Sequence, residues 1–353
     1  MSTRIMPELE PEPSLTGLDL TEKDDLLTAL DAMVRIREFE DRAGEVFLDG
    51  ELPGIVHLSI GQEAVPVGTC AALAEDDYIV STHRGHHHAV ADGLETEKMM
   101  AELYGKTDGY NDGKGGSMHI ADEEASFLGG NGIVGASPVL ATGAALTASY
   151  KDEDRVGVAF MGDGAVAQGQ GFEAMNTAAI WDLPTIYVIE NNEFGEATPA
   201  KDQHNVENLS ETAKAFDIPG VTVDGMDVTE VYEAVKEARE HAEAGNGPSI
   251  IEARTYRYRS HSAGRPQPYR TEDEIEEVRK TRDPIETVKR RLQDAGVLTD
   301  AEFEEMEERA ADEIADAVEF GRNGTFPETE EAYTDMNEDQ APEIEYFREK
   351  MER

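Results

Sequence analysis

Two short polar motifs follow two neighbouring apolar stretches of the chain. The motif Gly162-Asp163-Gly164 comes directly after one apolar run, and Glu190-Asn191-Asn192 comes directly after the next. The helical pattern between them predicts a βαβ unit, which brings the carboxyl ends of both strands to one edge of a parallel sheet. Asp163 then offers a carboxylate oxygen and Asn192 an amide oxygen, the hard donors that Mg²⁺ prefers. The two motifs therefore predict a magnesium site next to the phosphates of a cofactor.

A helical pattern begins close behind the first motif, near Ala165. The amino end of that helix would direct unpaired backbone N–H groups and a partial positive charge at the same phosphates. Gly162 and Gly164 leave room for the backbone to approach them closely. A lone Gly-Asp-Gly is common in turns, but the whole order of strand, Gly-Asp-Gly, helix, strand and Asn-Asn is specific. It predicts a diphosphate-binding loop.

The surrounding elements predict an α/β fold with a mainly parallel sheet and helices on both faces. Helical patterns, among them 169–181 and 228–244, alternate with short apolar or β-branched runs at 78–81, 156–161, 185–189, 221–223 and 249–255. Two glycine-rich stretches, 105–118 and 129–143, are predicted loops that approach a ligand. We divide the chain into a flexible acidic N-terminal arm (1–19), an α/β domain with both motifs (20–265) and a helical C-terminal extension with a partner-binding arm (266–353).

Longer stretches around these motifs resemble those of a known family. The family comprises the α subunits of the thiamine diphosphate-dependent decarboxylating component of 2-oxo acid dehydrogenase complexes, with pyruvate and acetoin dehydrogenase α subunits as members. The similar stretches are GDGAVAQGQGFEAMNTAAIWDLP, VIENNEFG, GKGGSMHIAD, GGNGIVGA, VDGMD and TYRYRSHS. The resemblance implies thiamine diphosphate and Mg²⁺ as cofactors, and makes residues 20–265 the thiamine diphosphate-binding domain.

The resemblance also implies which residues hold these cofactors. It places Asp163, Asn192 and the backbone carbonyl of Phe194 on Mg²⁺. Gly164 and Ala165 are expected to line the diphosphate, and Arg84 to bind it with a planar cationic fork. The further cofactor-binding residues that the resemblance implies are Gly132 and Val134 at the two rings, His83 at a position where the family usually has tyrosine, and His261.

Three histidines are implied to take part in the chemistry. His57 resembles the histidine that contacts the substrate, and His86 occupies the position that faces the substrate across the cofactor. His261 lies on a loop that is expected to fold over the cofactor and reach the diphosphate. An imidazole in these places can donate or accept a hydrogen bond and move a proton.

The chain contains only the diphosphate-binding half of such a site. Thiamine diphosphate enzymes activate the cofactor with a carboxylate against its aminopyrimidine ring, and in two-subunit relatives that glutamate belongs to a β subunit. The resemblance therefore implies an α₂β₂ heterotetramer with its active site at a subunit interface. It also implies a lipoylated dihydrolipoamide acyltransferase as the acceptor of the acyl group. The expected enzyme is an oxidoreductase of the pyruvate dehydrogenase (acetyl-transferring) type.

The motifs leave more than one substrate open. Gln168-Gly169-Gln170 and Phe172-Glu173-Ala174 resemble pyruvate dehydrogenase α subunits, whereas Glu196-Ala197-Thr198-Pro199 resembles acetoin dehydrogenase. His57-Leu58 differs from the usual pair in branched-chain 2-oxo acid dehydrogenases. We expect pyruvate, with acetoin as the alternative and branched-chain acids third. Two other classes stay open: a noncatalytic paralogue, and a stand-alone thiamine diphosphate lyase, which would need both halves in a longer chain.

The composition excludes some partners and indicates a habitat. The chain has 76 acidic and 31 basic residues and a formal net charge of −45, which repels nucleic acid phosphates and anionic lipids. Acidic residues are spread from Glu8 to Glu352, which predicts a halophilic protein. Cys70 is the only cysteine, so no intrachain disulfide forms. The N-terminus lacks the apolar core of a signal peptide and the chain lacks an apolar run of about 18 residues, so we expect a soluble cytoplasmic protein.

Salt should stabilise this protein, because it screens the repulsion between the excess carboxylates. Raising KCl from about 0.1 M to about 2 M shortens the Debye length from about 10 Å to below about 3 Å, and the melting temperature should rise steeply. Thermal unfolding followed by circular dichroism at several KCl concentrations measures this. A melting temperature that stays flat over the range would contradict the prediction of a halophilic protein.

Overall fold

The central element of the fold is a five-stranded parallel sheet. A computed structural model describes residues 14–334. Its strands are Tyr78–Val80 (β1), Gly157–Gly162 (β2), Thr185–Asn191 (β3), Phe194–Gly195 (β4), Thr198–Pro199 (β5), Gly220–Asp224 (β6) and Ser249–Arg254 (β7). The main sheet has the order β1-β2-β3-β7-β6 and is parallel throughout, whereas β4 and β5 form a separate antiparallel pair. The predicted α/β fold with a mainly parallel sheet is confirmed.

Helices precede, connect and follow the strands. In the described part of the chain they are Lys23–Leu48 (α1), Ala64–Ala71 (α2), His86–Ala91 (α3), Thr96–Leu103 (α4), Ser137–Lys151 (α5), Gly169–Ile180 (α6), Ala200–Gln203 (α7), Val228–Glu243 (α8), Glu272–Arg282 (α9), Pro284–Asp294 (α10) and Asp300–Asn323 (α11). No helix among residues 14–334 is both long and apolar enough to cross a lipid bilayer.

The strands are buried on both faces, and alternate residues pack into two separate cores. Val158 and Phe160 of β2 belong to a core with α1, α2 and α8. Ala159 and Met161, the intervening residues, belong to a second core with α5 and α6. Because successive side chains of a strand point to opposite faces, helices must cover both sides of the sheet. The near-continuous apolar runs in the sequence reflect this double burial.

The C-terminal helices pack back onto the N-terminal half of the chain. Helix α11 packs against α4 and α1, and Arg35 of α1 forms an ion pair with Glu313 at 3.0 Å. The C-terminal extension was predicted to be helical, and its described part contains the helices α9, α10 and α11. The division at residue 265 stays a prediction. Most of the predicted N-terminal arm, and the end of the C-terminal arm, lie outside the described residues.

Two predicted boundaries near the site are wrong. The helical pattern at 169–181 is confirmed by α6, but the helix does not begin near Ala165, because Asp163–Ala165 forms a tight 3₁₀ turn and Val166 then packs into the second core. The predicted loop 129–143 ends at Ala136, because α5 begins at Ser137 with a proline in its first turn. Proline is favoured there, since its missing N–H is not needed in the first turn.

Truncating a side chain of the sheet core should cost far more stability than truncating one at its edge. Ile251 is fully buried in β7, so Ile251→Ala should lower the free energy of unfolding by about 2–5 kcal/mol. Val221 lies on edge strand β6 and is 43% exposed, so Val221→Ala should change it by less than about 1 kcal/mol. Urea unfolding of both variants at one KCl concentration measures the difference. Equal losses would argue against the described burial.

Candidate active site

A cavity of about 350 Å³ opens at the carboxyl ends of β2 and β3. Ligands of parallel α/β sheets bind at this edge, because the loops that follow the strands converge there. His86 is the one predicted site residue that does not line it. Those that do are His57, His83, Arg84, Gly132, Val134, Asp163, Gly164, Ala165, Asn192, Phe194 and His261. The fold thus brings them together, and their individual roles stay predictions.

Asp163 presents a buried carboxylate with one free oxygen. The residue is 1% exposed, and within residues 14–334 its Oδ2 has no hydrogen-bond partner. Burial raises the pKa of Asp163 to about 6, although the nearby charge of Arg257 acts in the opposite direction. An unpaired buried carboxylate oxygen costs free energy unless a cation or a donor reaches it. The site is therefore suited to a bound cation.

Asn192 is oriented by a residue that the sequence argument missed. Its Nδ2 donates to Oε1 of the fully buried Gln62 at 2.9 Å, which turns Oδ1 away from Gln62. Oδ1 has only a long contact, 3.5 Å, to Nη1 of Arg257. An amide held on one side in this way presents its oxygen as a ligand. Gln62 lies 130 positions earlier in the chain, and no local pattern marks it.

Two buried arginines give the cavity a basic wall. Arg84 donates to the backbone carbonyls of Leu58 and His261, the latter at 2.8 Å. Arg257 is 1% exposed, and its contacts to Tyr269 and Glu196 are long, at 3.3 and 3.4 Å. Burial, followed by the charge of Arg257, lowers the pKa of Arg84 to about 9. Neither guanidinium has an ion pair with a carboxylate in the described residues, so this wall is suited to an anion such as a phosphate.

Three imidazoles line the cavity as neutral groups. The ring centroids of His57, His83 and His261 lie 4.8 to 5.5 Å apart. Burial first, and the charge of Arg84 second, lowers the pKa of His57 to about 2 and the pKa values of His83 and His261 to about 3. Nδ1 of His57 and Nε2 of His83 have no hydrogen-bond partner in residues 14–334. At neutral pH these rings offer hydrogen bonds to a ligand but no positive charge.

His86 lies beneath the cavity wall, where it has no access to the cavity. Its ring is fully buried in the first turn of α3, with Nδ1 3.3 Å from Oε2 of Glu40 and Nε2 3.0 Å from Oγ of Ser117. The chain bends at Gly85 and then enters α3, which turns this side chain toward α1. His86 thus does not line the cavity of this chain, and its role toward a substrate stays a prediction. His86 instead connects a buried carboxylate to the first glycine-rich stretch.

The cavity floor contains a carboxylate that pairs with two further histidines. Glu190, at the end of β3, accepts a hydrogen bond from Nε2 of His87 at 2.8 Å, and Nε2 of His88 lies 3.4 Å away. Burial alone would raise the pKa of Glu190, but the two imidazoles outweigh it and hold that pKa well below its ordinary value. Sequence reasoning missed this cluster, although His86-His87-His88 at a loop end could have suggested it.

Known proteins resemble this chain over most of its length. The family described as dehydrogenase E1 component matches residues 31–330. The α subunit of acetoin:2,6-dichlorophenolindophenol oxidoreductase from Bacillus subtilis is 47% identical over 323 residues, covering 91% of this chain and 95% of the relative. The pyruvate dehydrogenase E1 component subunit α from Rhizobium meliloti is 44% identical over 314 residues, covering 89% of this chain and 90% of the relative. Its counterpart from Zymomonas mobilis is 40% identical over 325 residues, covering 92% of each chain.

Replacing Asp163 by asparagine should stabilise the ligand-free chain at neutral pH. The pKa of Asp163 rises from 3.8 to about 6 on folding, so above pH 6 the native state holds a carboxylate at a cost of about 1–3 kcal/mol. Asp163→Asn removes that cost. The increase in its free energy of unfolding over that of the wild type should be full at pH 7.5 and should shrink as the pH falls through 6.

Urea unfolding at pH 5.0 and 7.5 measures this pH dependence. Asp182→Asn removes one charge from an exposed aspartate and is the matched control for the general effect of lowering the net charge. An advantage of Asp163→Asn that equals the control at both pH values would contradict the argument.

Proposed function

Because the chain belongs to the dehydrogenase E1 component family, we propose that it is the α subunit of a thiamine diphosphate-dependent 2-oxo acid dehydrogenase that acts on pyruvate. One observation carries this proposal: a single cavity contains an unpaired buried carboxylate, Asp163, and two buried guanidinium groups, Arg84 and Arg257. A metal–diphosphate group brings a cation and an anion into contact, and it would balance both kinds of charge at once.

The residues around this cavity fit the two halves of that group. Asp163, Asn192 and the backbone carbonyl of Phe194 would hold Mg²⁺, since all three supply oxygen atoms. The phosphates would lie against Gly164 and Ala165, with Arg84, His83 and His261 as hydrogen-bond donors. A Cβ atom at Gly164 would lie 3.0 Å from Cα of Gly195, so the backbone there has little space for a side chain. Gly132 and Val134 would contact the rings of the cofactor.

The protein's own contribution to the reaction is binding and orientation. Bound thiamine diphosphate supplies the electron sink that lets the bond between the substrate carbonyl carbon and its carboxylate break. His57, which is neutral, can donate one hydrogen bond to the substrate without adding charge to the cavity. The side chains of Met118, Ile133 and Val134 give the cavity an apolar side.

An exposed apolar surface on α5 and α6 supports a β subunit as partner. Large apolar side chains point outward there: Val139, Leu140, Leu146, Tyr150, Phe172, Ile180 and Trp181, with Tyr150 90% exposed. Apolar surface of this extent is typical of a subunit interface. We propose that the β subunit covers it in an α₂β₂ heterotetramer and supplies the carboxylate that activates the cofactor. The acyl group would then pass to a lipoylated dihydrolipoamide acyltransferase in the cytoplasm.

Acetoin is the second candidate substrate. The relative with 47% identity carries acetoin in its name, and the residues Glu196-Ala197-Thr198-Pro199 resemble that group. Pyruvate is favoured by the motif that begins at Gly162 and by the names of the relatives from Rhizobium meliloti and Zymomonas mobilis. The neutral histidines of the cavity could bind the carboxylate of one substrate or the hydroxyl of the other.

Turnover by the complex of this chain with its β subunit tests the proposal. With Mg²⁺ and thiamine diphosphate, the complex should reduce an artificial electron acceptor with a higher kcat/KM for pyruvate than for acetoin. The isolated chain should be inactive, because half of the site belongs to the partner. The complex with Asp163→Ala should lose magnesium-dependent cofactor binding in calorimetric titration, because the variant lacks a metal ligand.

Each alternative result has a separate meaning. Activity of the isolated chain would refute the divided site. A higher kcat/KM for acetoin would replace pyruvate as the substrate and leave the cofactor assignment intact. Cofactor binding without turnover of either substrate would favour another 2-oxo acid, and a wild-type complex that binds no cofactor would favour a noncatalytic paralogue.

A further inference from the structure

The first glycine-rich stretch wraps around one buried carboxylate. Glu102, near the end of α4, is fully buried. Its Oε2 accepts backbone N–H bonds from Asn111 and Gly113, both at 2.9 Å. Its Oε1 accepts two more, from Gly115 at 2.8 Å and Gly116 at 2.9 Å. All four bonds go to backbone groups of one short segment, so a single side chain holds the backbone at four positions between 111 and 116.

Two glycines of this stretch lie where the folded backbone leaves no space for a side chain. A Cβ atom at Gly109 would lie 2.5 Å from Oε2 of Glu102, and one at Gly113 would lie 2.4 Å from the carbonyl carbon of Gly105. Gly113 also has a positive φ of 73°, which disfavours any side chain. The sequence argument expected these glycines to approach a ligand. The structure shows that they approach Glu102 and the segment's own backbone.

The segment has one aromatic side chain that packs against the core, Tyr110, whose hydroxyl accepts a hydrogen bond from the N–H of Glu95 at 2.7 Å. From Thr107 to His119 every residue is at least partly exposed. Apart from Tyr110, burial of apolar surface contributes little to fixing residues 111–116, whereas hydrogen bonds to a carboxylate are among the stronger ones in proteins. Without the carboxylate, four backbone N–H groups would lose their acceptor at the same time.

The same segment forms part of the wall of the candidate active site. It ends in the 3₁₀ turn Gly116–Met118, and Met118 lines the cavity. A Cβ atom at Gly130 would lie 2.6 Å from the carbonyl oxygen of Met118. The segment therefore packs closely against the second glycine-rich loop, which also contains Gly132. Ser117 is also hydrogen-bonded to His86, and His86 pairs with Glu40. A shift of the segment would therefore move the wall where the cofactor rings are proposed to bind.

We propose that Glu102 is a positioning residue of the active site, which fixes residues 109–118 so that Met118 and Gly132 form the wall that receives the cofactor rings. The identity of the ligand rests on the proposed function. The role of Glu102 in fixing residues 109–118 does not rest on the proposed function, because it follows from the four hydrogen bonds. The expected defect on losing Glu102 is a local loosening that weakens cofactor binding and leaves the sheet intact.

The test uses Glu102→Gln in the complex of this chain with its β subunit. The amide keeps the size of the side chain, but its NH₂ group cannot accept two of the four N–H bonds. Glu97→Gln is the matched control, because it makes the same charge change at a partly exposed position of the same helix. Hydrogen exchange of the peptide that covers 109–118 and calorimetric titration with thiamine diphosphate and Mg²⁺ are measured for both variants and the wild type.

The expected result is exchange that is about tenfold faster in 109–118, with unchanged exchange in β2 and β3, and a Kd for thiamine diphosphate weakened by about tenfold or more. Saturating cofactor should restore most of kcat, and Glu97→Gln should match the wild type. Faster exchange with an unchanged Kd would overturn the proposal, as would unchanged exchange. If Glu102→Gln does not fold, the shorter carboxylate of Glu102→Asp gives the same two comparisons. Failure of the wild type to bind the cofactor would refute the proposed function instead.

Discussion

The described structure places three buried ionisable groups around one cavity without a salt bridge to any of them, and the rest of the fold has to hold them in position. Asp163, Arg84 and Arg257 all face one cavity, and desolvation of each opposes folding by several kcal/mol by general estimates. A soft or mobile region would relax around such charges and pair or hydrate them. The two-sided sheet prevents this relaxation, because β2 and β3 are buried on both faces and fix the positions of their carboxyl ends.

A second layer of side chains holds the groups that line the cavity. Gln62 orients the amide of Asn192, and Glu190 holds His87 and His88 in the floor. Glu102 accepts hydrogen bonds from the backbone of a whole segment. Ser117 of that segment contacts His86, which in turn pairs with Glu40. Apart from Glu190 in β3 and Ser117 in the 3₁₀ turn, these residues come from α1, α3, α4 and the turn before α2, so the N-terminal helices support loops of the sheet. Within residues 14–334, one ring nitrogen of His87, one of His88 and the amide nitrogen of Gln62 have no hydrogen-bond partner, so this layer is held by the bonds named above and by packing.

The sequence predicted those parts of the site that local patterns encode. Strands that end in Gly-Asp-Gly and Asn-Asn place Asp163 and Asn192 side by side, because neighbouring parallel strands end at the same edge. Gln62 and Glu102 could not be found in this way, since each acts on residues that it meets only in the folded chain. The pattern at 169–181 predicted α6 correctly, but the helix start expected near Ala165 is a 3₁₀ turn, after which Val166 packs into the second core. The sequence also does not reveal which side of the short helix α3 faces the core, so the burial of His86 against α1 could not be foreseen, and its role stays a prediction.

The contrast between the surface and the cavity has a consequence for how anions reach the site. The chain carries a formal net charge of −45, yet its cavity presents Arg84 and Arg257 to a ligand. At low ionic strength the surface charge repels an anion over a Debye length of about 30 Å, long before the arginines attract it. At about 1 M salt that length is about 3 Å, so the repulsion no longer extends into solution. Attraction inside the cavity acts at contact distance and is screened much less. Salt should therefore speed the entry of an anionic ligand here, the reverse of its effect where the surface attracts the ligand.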